Sequence, residues 1–176
     1  MNVSIRYAKA LFQIAAQQNT IDQFMEDLTT LKQVLVQNKA FYSFITDPLA
    51  DKDKKQKAVS VIIDKLNSPK EIKNLVMLLI RGGREPFVID IIDSYGQMFD
   101  DYKGLIKAEV YTAYDITPGE MDVLKNRIKG LFHKEPVLTV MKDTSIIGGL
   151  RLKVGWTIYD GTIKTHLKEF TNSIKI

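Results

Sequence analysis

The chain has 176 residues, 45% of them hydrophobic, with 25 basic and 21 acidic side chains and a formal net charge of +4. That is enough apolar material for one large core or two small ones, and the absence of cysteine excludes a disulfide framework, a thiolate zinc site and a cysteine nucleophile. Residues 1–104 carry 14 basic and 13 acidic side chains and residues 105–176 carry 11 and 8, so neither half concentrates the one-sided basic patch of a nucleic-acid binder.

Ile5, Ala8, Leu11, Phe12 and Ala15 recur at spacings of three and four, which predicts an amphipathic helix from Ser4 to about Gln18 with Ser4 as its cap. Arg6 and Lys9 stand in an acid-free stretch of 21 residues, as in a transit peptide, yet the apolar pattern runs on into ordinary helices and no cleavage is expected. Thr20 can cap a second helix on which Ile21, Phe24, Leu28, Leu31 and Leu35 share a face. Phe41 and Phe44 lie on a short third helix that Asp47-Pro48 ends, because the residue before proline avoids helical geometry. From Lys52 to Leu66 a fourth helix places Ala58, Val61, Ile62 and Leu66 inward and its lysines outward.

Ser68-Pro69-Lys70-Glu71 reads as a capping box opening a fifth helix, with Ile72, Leu75, Val76 and Leu79 as its buried stripe and Gly82-Gly83 as its stop. A sixth helix, from about Pro86 to Lys103, carries Phe87, Ile91, Ile92, Tyr95, Phe99 and Tyr102, and Gly104 closes it. Leu75 to Ile80 is the longest apolar run, far short of the ~20 residues that a membrane-spanning helix needs. Six helices on short loops predict an all-α six-helix bundle over residues 1–104.

From Leu105 the period changes. Ile106, Ala108, Val110 and Thr112 alternate as in a strand, and Thr117-Pro118-Gly119-Glu120 opens a helix with Met121, Leu124, Ile128 and Leu131 inward. Val137 to Met141 reads as a second strand. Gly148-Gly149 marks a bend or close backbone approach, and Leu150 to Tyr159 then alternates as one third strand. Asp160-Gly161 reads as a turn, after which Ile163, Leu167, Phe170 and Ile174 take helical spacing behind a cap at Asp160 or Thr162. Residues 105–176 are therefore expected to form a small α/β module in the order strand, helix, strand, strand, helix. A core of about 70 residues is near the lower limit for independent stability, so the module is expected to lean on the bundle or a partner.

No motif speaks for catalysis. His133 and His166 lack a metal-ligand pattern and read as surface residues near helix ends. Gly82-Gly83 and Gly148-Gly149 lack the remaining residues of a dinucleotide or phosphate loop, so they read as cap and bend, and Trp156 reads as core. A nucleic-acid adaptor would need a basic face, and a carboxylate enzyme a convergent polar pocket; neither is signalled. What remains is an adaptor made of surfaces, with no cofactor.

Three stretches in the right order carry a resemblance over nearly the whole chain. Arg6-Tyr7-Ala8-Lys9-Ala10-Leu11-Phe12, then Gly83-Arg84 with Lys107-Ala108-Glu109-Val110-Tyr111-Thr112-Ala113, then Ser145-Ile146-Ile147-Gly148-Gly149 with Val154-Gly155 and Tyr159-Asp160-Gly161-Thr162-Ile163 resemble the delta subunits of bacterial ATP synthase, relatives of the mitochondrial oligomycin-sensitivity-conferring protein. Thr162 stands where a serine is more usual, and the hydroxyl is retained.

The resemblance implies a non-catalytic stator subunit, one copy per complex, that holds the catalytic head still against rotor torque during proton-driven ATP synthesis. It implies that residues 1–104 dock on the head and residues 105–176 grip the C-terminal ends of the b subunits. A groove between the first and fifth helices would take the N-terminal helix of an alpha subunit, lined by Tyr7, Ala8, Leu11, Phe12 and Ala15 on one side and Leu75, Val76 and Leu79 on the other. Spacing alone does not separate such a lining from internal core. The b-subunit contact would fall around Gly148, Gly149, Tyr159, Asp160 and Gly161, for which a turn and helix cap is the alternative reading. The expected location is the cytoplasmic face of the bacterial plasma membrane, peripheral and held through partner subunits, without direct insertion.

Overall fold

Helical periodicity governs the first hundred residues. The computed structural model describes residues 3–66, 68–155 and 157–165, and within them the chain begins with α1 (Val3–Gln17), α2 (Ile21–Gln37), α3 (Lys39–Thr46), α4 (Lys52–Lys65), α5 (Lys70–Arg81), a 3-10 turn (Glu85–Phe87) and α6 (Val88–Tyr102). It divides into two compact units, Met1–Phe99 and Asp100–Ile176, the division falling inside α6.

In the first unit each helix turns a stripe inward: Ala8, Leu11 and Ala15 from α1, Phe24, Leu28, Leu31 and Leu35 from α2, Ile72, Val76, Leu79 and Ile80 from α5, and Ile91, Ile92 and Tyr95 from α6. Tyr95 is wholly buried. Its ring meets Phe12 at 5.4 Å between centroids and its hydroxyl donates to the Ile21 carbonyl at 3.2 Å. A buried phenol keeps its place when its O–H is satisfied, and burial also pushes the Tyr95 pKa up.

Several local expectations are corrected. Ser4 lies inside α1 and is buried, so it is no cap. Thr20 precedes α2 without a side-chain capping bond. No capping box forms at Ser68. The residue before α5 is Pro69, and the Glu71 carboxylate is taken by Gln18 of the α1 end. The sharpest departure is α4, which buries Lys55, Val59 and Ile63 and leaves Val61 exposed, against an expected face of Ala58, Val61, Ile62 and Leu66. The cause is an ion pair. Lys55 Nζ lies 2.5 Å from Glu85 Oε1, with Lys55 only 1% and Glu85 4% exposed, and that anion draws a lysine into a face that hydropathy alone assigns to solvent.

The second unit contains β1 (Leu105–Thr112), α7 (Pro118–Phe132), β2 (Glu135–Lys142), β3 (Gly149–Val154) and β4 (Thr157–Thr162), in a mixed sheet of order β2-β1-β3-β4. The β1–β2 pair is parallel, joined through α7, while β3 runs antiparallel to both β1 and β4. The capping box at Thr117 and Glu120 is present as read from the sequence. Leu124, Ile128 and Phe132 pack on Ala108, Val110 and Leu152 of one sheet face. Leu131, expected inward, is 73% exposed, and Phe132 takes the inward position instead.

The expected order of strand, helix, strand, strand, helix is also corrected, because the third strand is a hairpin. Val154 pairs with Thr157, and Gly155 at φ +58° supplies the left-handed geometry that so tight a reversal requires. Asp160-Gly161 therefore lies within β4 and not in a turn. Residues 163–165 are helical; Leu167, Phe170 and Ile174, like Trp156 and His166, lie outside the described residues.

Candidate docking surfaces

The α1–α5 seam is built by two antiparallel helices fastened at both ends. Arg84, just past α5, donates from Nη1 to the Tyr7 hydroxyl at 2.6 Å, with its guanidinium carbon 5.9 Å from the Tyr7 ring centroid. At the other end Gln18 Nε2 donates to Glu71 Oε1 at 3.1 Å, which holds the Glu71 carboxyl below its ordinary pKa. Positions 7 and 18 bracket one helical stripe of α1, and 71, 75 and 78 continue one stripe of α5.

The eight residues read from the sequence as groove lining separate by depth. Ala8, Leu11, Ala15, Val76 and Leu79 are buried core, whereas Tyr7, Phe12 and Leu75 are partly buried against it. Two side chains that sequence reasoning missed face outward on the same stripes: Ile14, 38% exposed, and Leu78, 54% exposed. The signal was present, because Ile14 stands seven residues from Tyr7 and Leu78 three from Leu75, each off its helix's core stripe. An apolar line of Tyr7, Ile14, Leu75 and Leu78, closed by polar pairs at both ends, can receive the apolar face of another helix.

In the second unit the residues around Gly148 divide between building and display. Gly149 has φ +82°, and a Cβ there would sit 2.3 Å from the Gly161 carbonyl oxygen. At Gly148 a Cβ would meet Ile163 Cδ1 at 2.6 Å. These glycines let β3 and β4 approach closely, as the sequence suggested. Tyr159 and Asp160 point to opposite faces of the sheet. Tyr159 meets Phe132 of α7 edge-on at 6.1 Å. Asp160 lies on the other face, where its carboxylate accepts from the Thr162 amide at 3.0 Å and stands 3.5 Å from Arg151 Nε.

Those bonds, that from the Thr162 amide foremost, hold the Asp160 pKa down to about 2. Arg151 also reaches Asp143 at 3.8 Å, and Asp143, itself lowered, accepts from the Ser145 amide and hydroxyl. A depressed carboxyl stabilises the fold fully above its unfolded pKa, near 4, and the contribution fades as pH falls toward 2. The second unit of the wild type should therefore lose stability between about pH 4 and 2, and Asp160→Asn should lose less over that window; melting followed by near-ultraviolet dichroism across pH tests it.

Among the described residues no cluster of three or more His, Cys, Asp or Glu side chains could hold a metal ion. The family model described as ATP synthase delta (OSCP) subunit matches residues 3–174. The chain belongs to that family. Subunits delta of ATP synthase from Desulfosudis oleivorans and Lactobacillus johnsonii are 31% and 32% identical to it, over 97% and 98% of this chain and 93% and 94% of those proteins. The fold is shared with a chain of the Toxoplasma gondii mitochondrial ATP synthase hexamer, seen by cryo-electron microscopy, at a TM-score of 0.78 and 18% identity, covering 98% of this chain and 97% of that one. As an ATP synthase delta family member the protein is a non-catalytic subunit of the peripheral stalk, linking the catalytic head to the membrane part and resisting rotor torque. No helix among the described residues is long and apolar enough to cross a membrane.

Proposed function

We propose that the α1–α5 seam receives the N-terminal helix of an alpha subunit of the catalytic head. In this reading residues 1–104 act as a six-helix bundle seated on the head, and residues 105–176 contact the C-terminal ends of the b subunits around Gly148, Gly149, Tyr159, Asp160 and Gly161. The two attachments lie in different units of one chain, which is what a torque-bearing link requires. One copy serves each complex, on the cytoplasmic face of a bacterial plasma membrane.

The observation that carries the seam reading is the exposed apolar line of Ile14 and Leu78 beside partly buried Tyr7 and Leu75. Ala8, Leu11, Ala15, Val76 and Leu79 act beneath it, as the floor that fixes the spacing of the two helices. For the b-subunit contact the support is the exposed apolar pair Ile147 and Ile163 flanking Gly148.

Aspartate substitutions distinguish floor from surface. Leu78→Asp or Ile14→Asp should leave the helical dichroism and melting midpoint near wild type, since exposed positions change stability by no more than about 0.5 kcal/mol. Each should weaken binding of an alpha-subunit N-terminal peptide by at least about tenfold, the loss typical of an interface anchor. Leu11→Asp or Leu79→Asp should instead destabilise the fold by roughly 3 kcal/mol or more, because each buries an unpaired charge. Unchanged peptide affinity in folded Leu78→Asp and Ile14→Asp variants would remove the seam as the docking site.

A further inference from the structure

We infer that a cavity beneath α5 binds one ordered water molecule, which completes the buried Lys55–Glu85 ion pair. A lysine ammonium has three donors, and each oxygen of a carboxylate is an acceptor. Lys55 is 1% exposed, and among the described residues its ammonium donates only to Glu85 Oε1. Glu85 is 4% exposed, and its Oε2 accepts from nothing among those residues. Two N–H groups and one anionic oxygen thus lie away from bulk solvent without a protein partner. Buried polar groups in folded proteins are nearly always hydrogen-bonded, and where the chain supplies no partner a fixed water does.

The space for it lies beside the pair. Glu85 lines a cavity of about 10 Å³ together with apolar side chains that include Ile45, Val59, Val76 and Leu79, which is room for a single water. Both oxygens belong to one carboxylate, so a water that donates to Oε2 can also accept from the ammonium bound at Oε1. Those two bonds are the fewest that hold a buried water. The rest of the wall is apolar, and a second water there has nothing to bond. One fixed water completes a neutral pair; it does not hydrate a lone carboxylate. Lys55 comes from α4 and Glu85 from the 3-10 turn between α5 and α6, so the water ties those two elements together beneath Val76 and Leu79. All the lining residues are buried except Phe41 and Ile62, which are partly buried, and exchange with solvent passes between α3 and α4 at those two side chains.

Oxygen-17 relaxation dispersion of the solvent counts waters that stay bound longer than the protein takes to tumble. Measured on the full-length chain and on the double variant Lys55→Met, Glu85→Leu, it should show about one more such water per molecule in the wild type. In the methyl-labelled wild type, water should also give nuclear Overhauser cross-peaks to the Val76 and Leu79 methyl groups. Equal dispersions from the two folded chains would overturn the inference, and so would the absence of those cross-peaks. Uptake of xenon into the wild-type cavity, read as shifts of the same methyl groups, would overturn it as well, because a cavity that takes up xenon is a dry one. The two wild-type readings decide the point even if the double variant does not fold.

Discussion

Lys55→Ala should destabilise the first unit by about 3 to 5 kcal/mol, the cost of leaving a buried charge without its partner. In the native fold Lys55 Nζ and Glu85 Oε1 are 2.5 Å apart, and Glu85 Oε2 is buried without a hydrogen bond of its own among the described residues. Glu85 lines a cavity together with apolar side chains, among them Leu31, Ile45, Val59, Val76 and Leu79. Removing the ammonium leaves a carboxylate that this apolar shell cannot solvate. The double variant Lys55→Met, Glu85→Leu should recover most of the loss, since an apolar pair of similar volume needs no compensating charge. Denaturant unfolding of the wild type, the single variant and the double variant measures both numbers. A single variant within about 1 kcal/mol of wild type would mean that the site is wet and the pair ordinary.

Gly149→Ala should disrupt the second unit. At φ +82° a side chain is strained by roughly 1 to 2 kcal/mol on backbone grounds alone. The added Cβ would also lie 2.3 Å from the Gly161 carbonyl oxygen and 3.0 Å from the Thr162 Cα, both main-chain atoms of the paired strand. Strand β4 must move away or unpair. A total loss of about 3 kcal/mol or more is expected, large for a module of this size. Hydrogen exchange should show lost protection across β3 and β4 and retained protection in α2 and α6. Gly155→Ala, also at positive φ but with no atom of a described residue beyond its chain neighbours within 4 Å of its added Cβ, should cost less. The comparison separates close approach from backbone strain. It also bears on assembly, because a Gly149 variant that fails to join the stalk would do so by misfolding and not by loss of a contact.

The parts of the fold legible in the sequence are those where one local rule acts without competition. The stripes of α2 and α5, and Ile91, Ile92, Tyr95 and Phe99 of α6, could be read because their apolar spacing is regular and their neighbours are apolar too, whereas Phe87 and Tyr102, expected on the α6 stripe, are exposed. Thr117 to Glu120 formed its capping box because both side chains are exposed and nothing among the described residues competes for them. Ser68 to Glu71 has the same pattern and did not form it, because Gln18, 53 residues away, takes the Glu71 carboxylate. Lys55 was illegible for the same kind of reason, its partner lying 30 residues ahead.

The hairpin at Gly155 was hidden by parity. Alternation from Leu150 to Ile158 looks continuous, but a tight reversal at Gly155 turns the chain so that Leu152 pairs with Tyr159 and Lys153 with Ile158. Tyr159 then falls on the α7 face, and Ile158 on the opposite one, where it is exposed. A lone glycine inside an alternating run was the available signal. At the seam, the sequence identified the two helices and not the depth of each residue, because groove and core positions on one helix are a single turn apart. The spacing of Ile14 from Tyr7 and of Leu78 from Leu75 was a signal in the sequence, and the packing of α1 on α5 is what gives it meaning.

Reattachment of the catalytic head tests the stator account most directly. Membranes that retain the b subunits, stripped of the head and of this chain, would be mixed with purified head, with and without the full-length protein. The account predicts that the head rebinds, and that proton-driven ATP synthesis returns, only when the chain is present, and that the Leu78→Asp variant restores neither. Rebinding and synthesis to the same extent without the chain would contradict it.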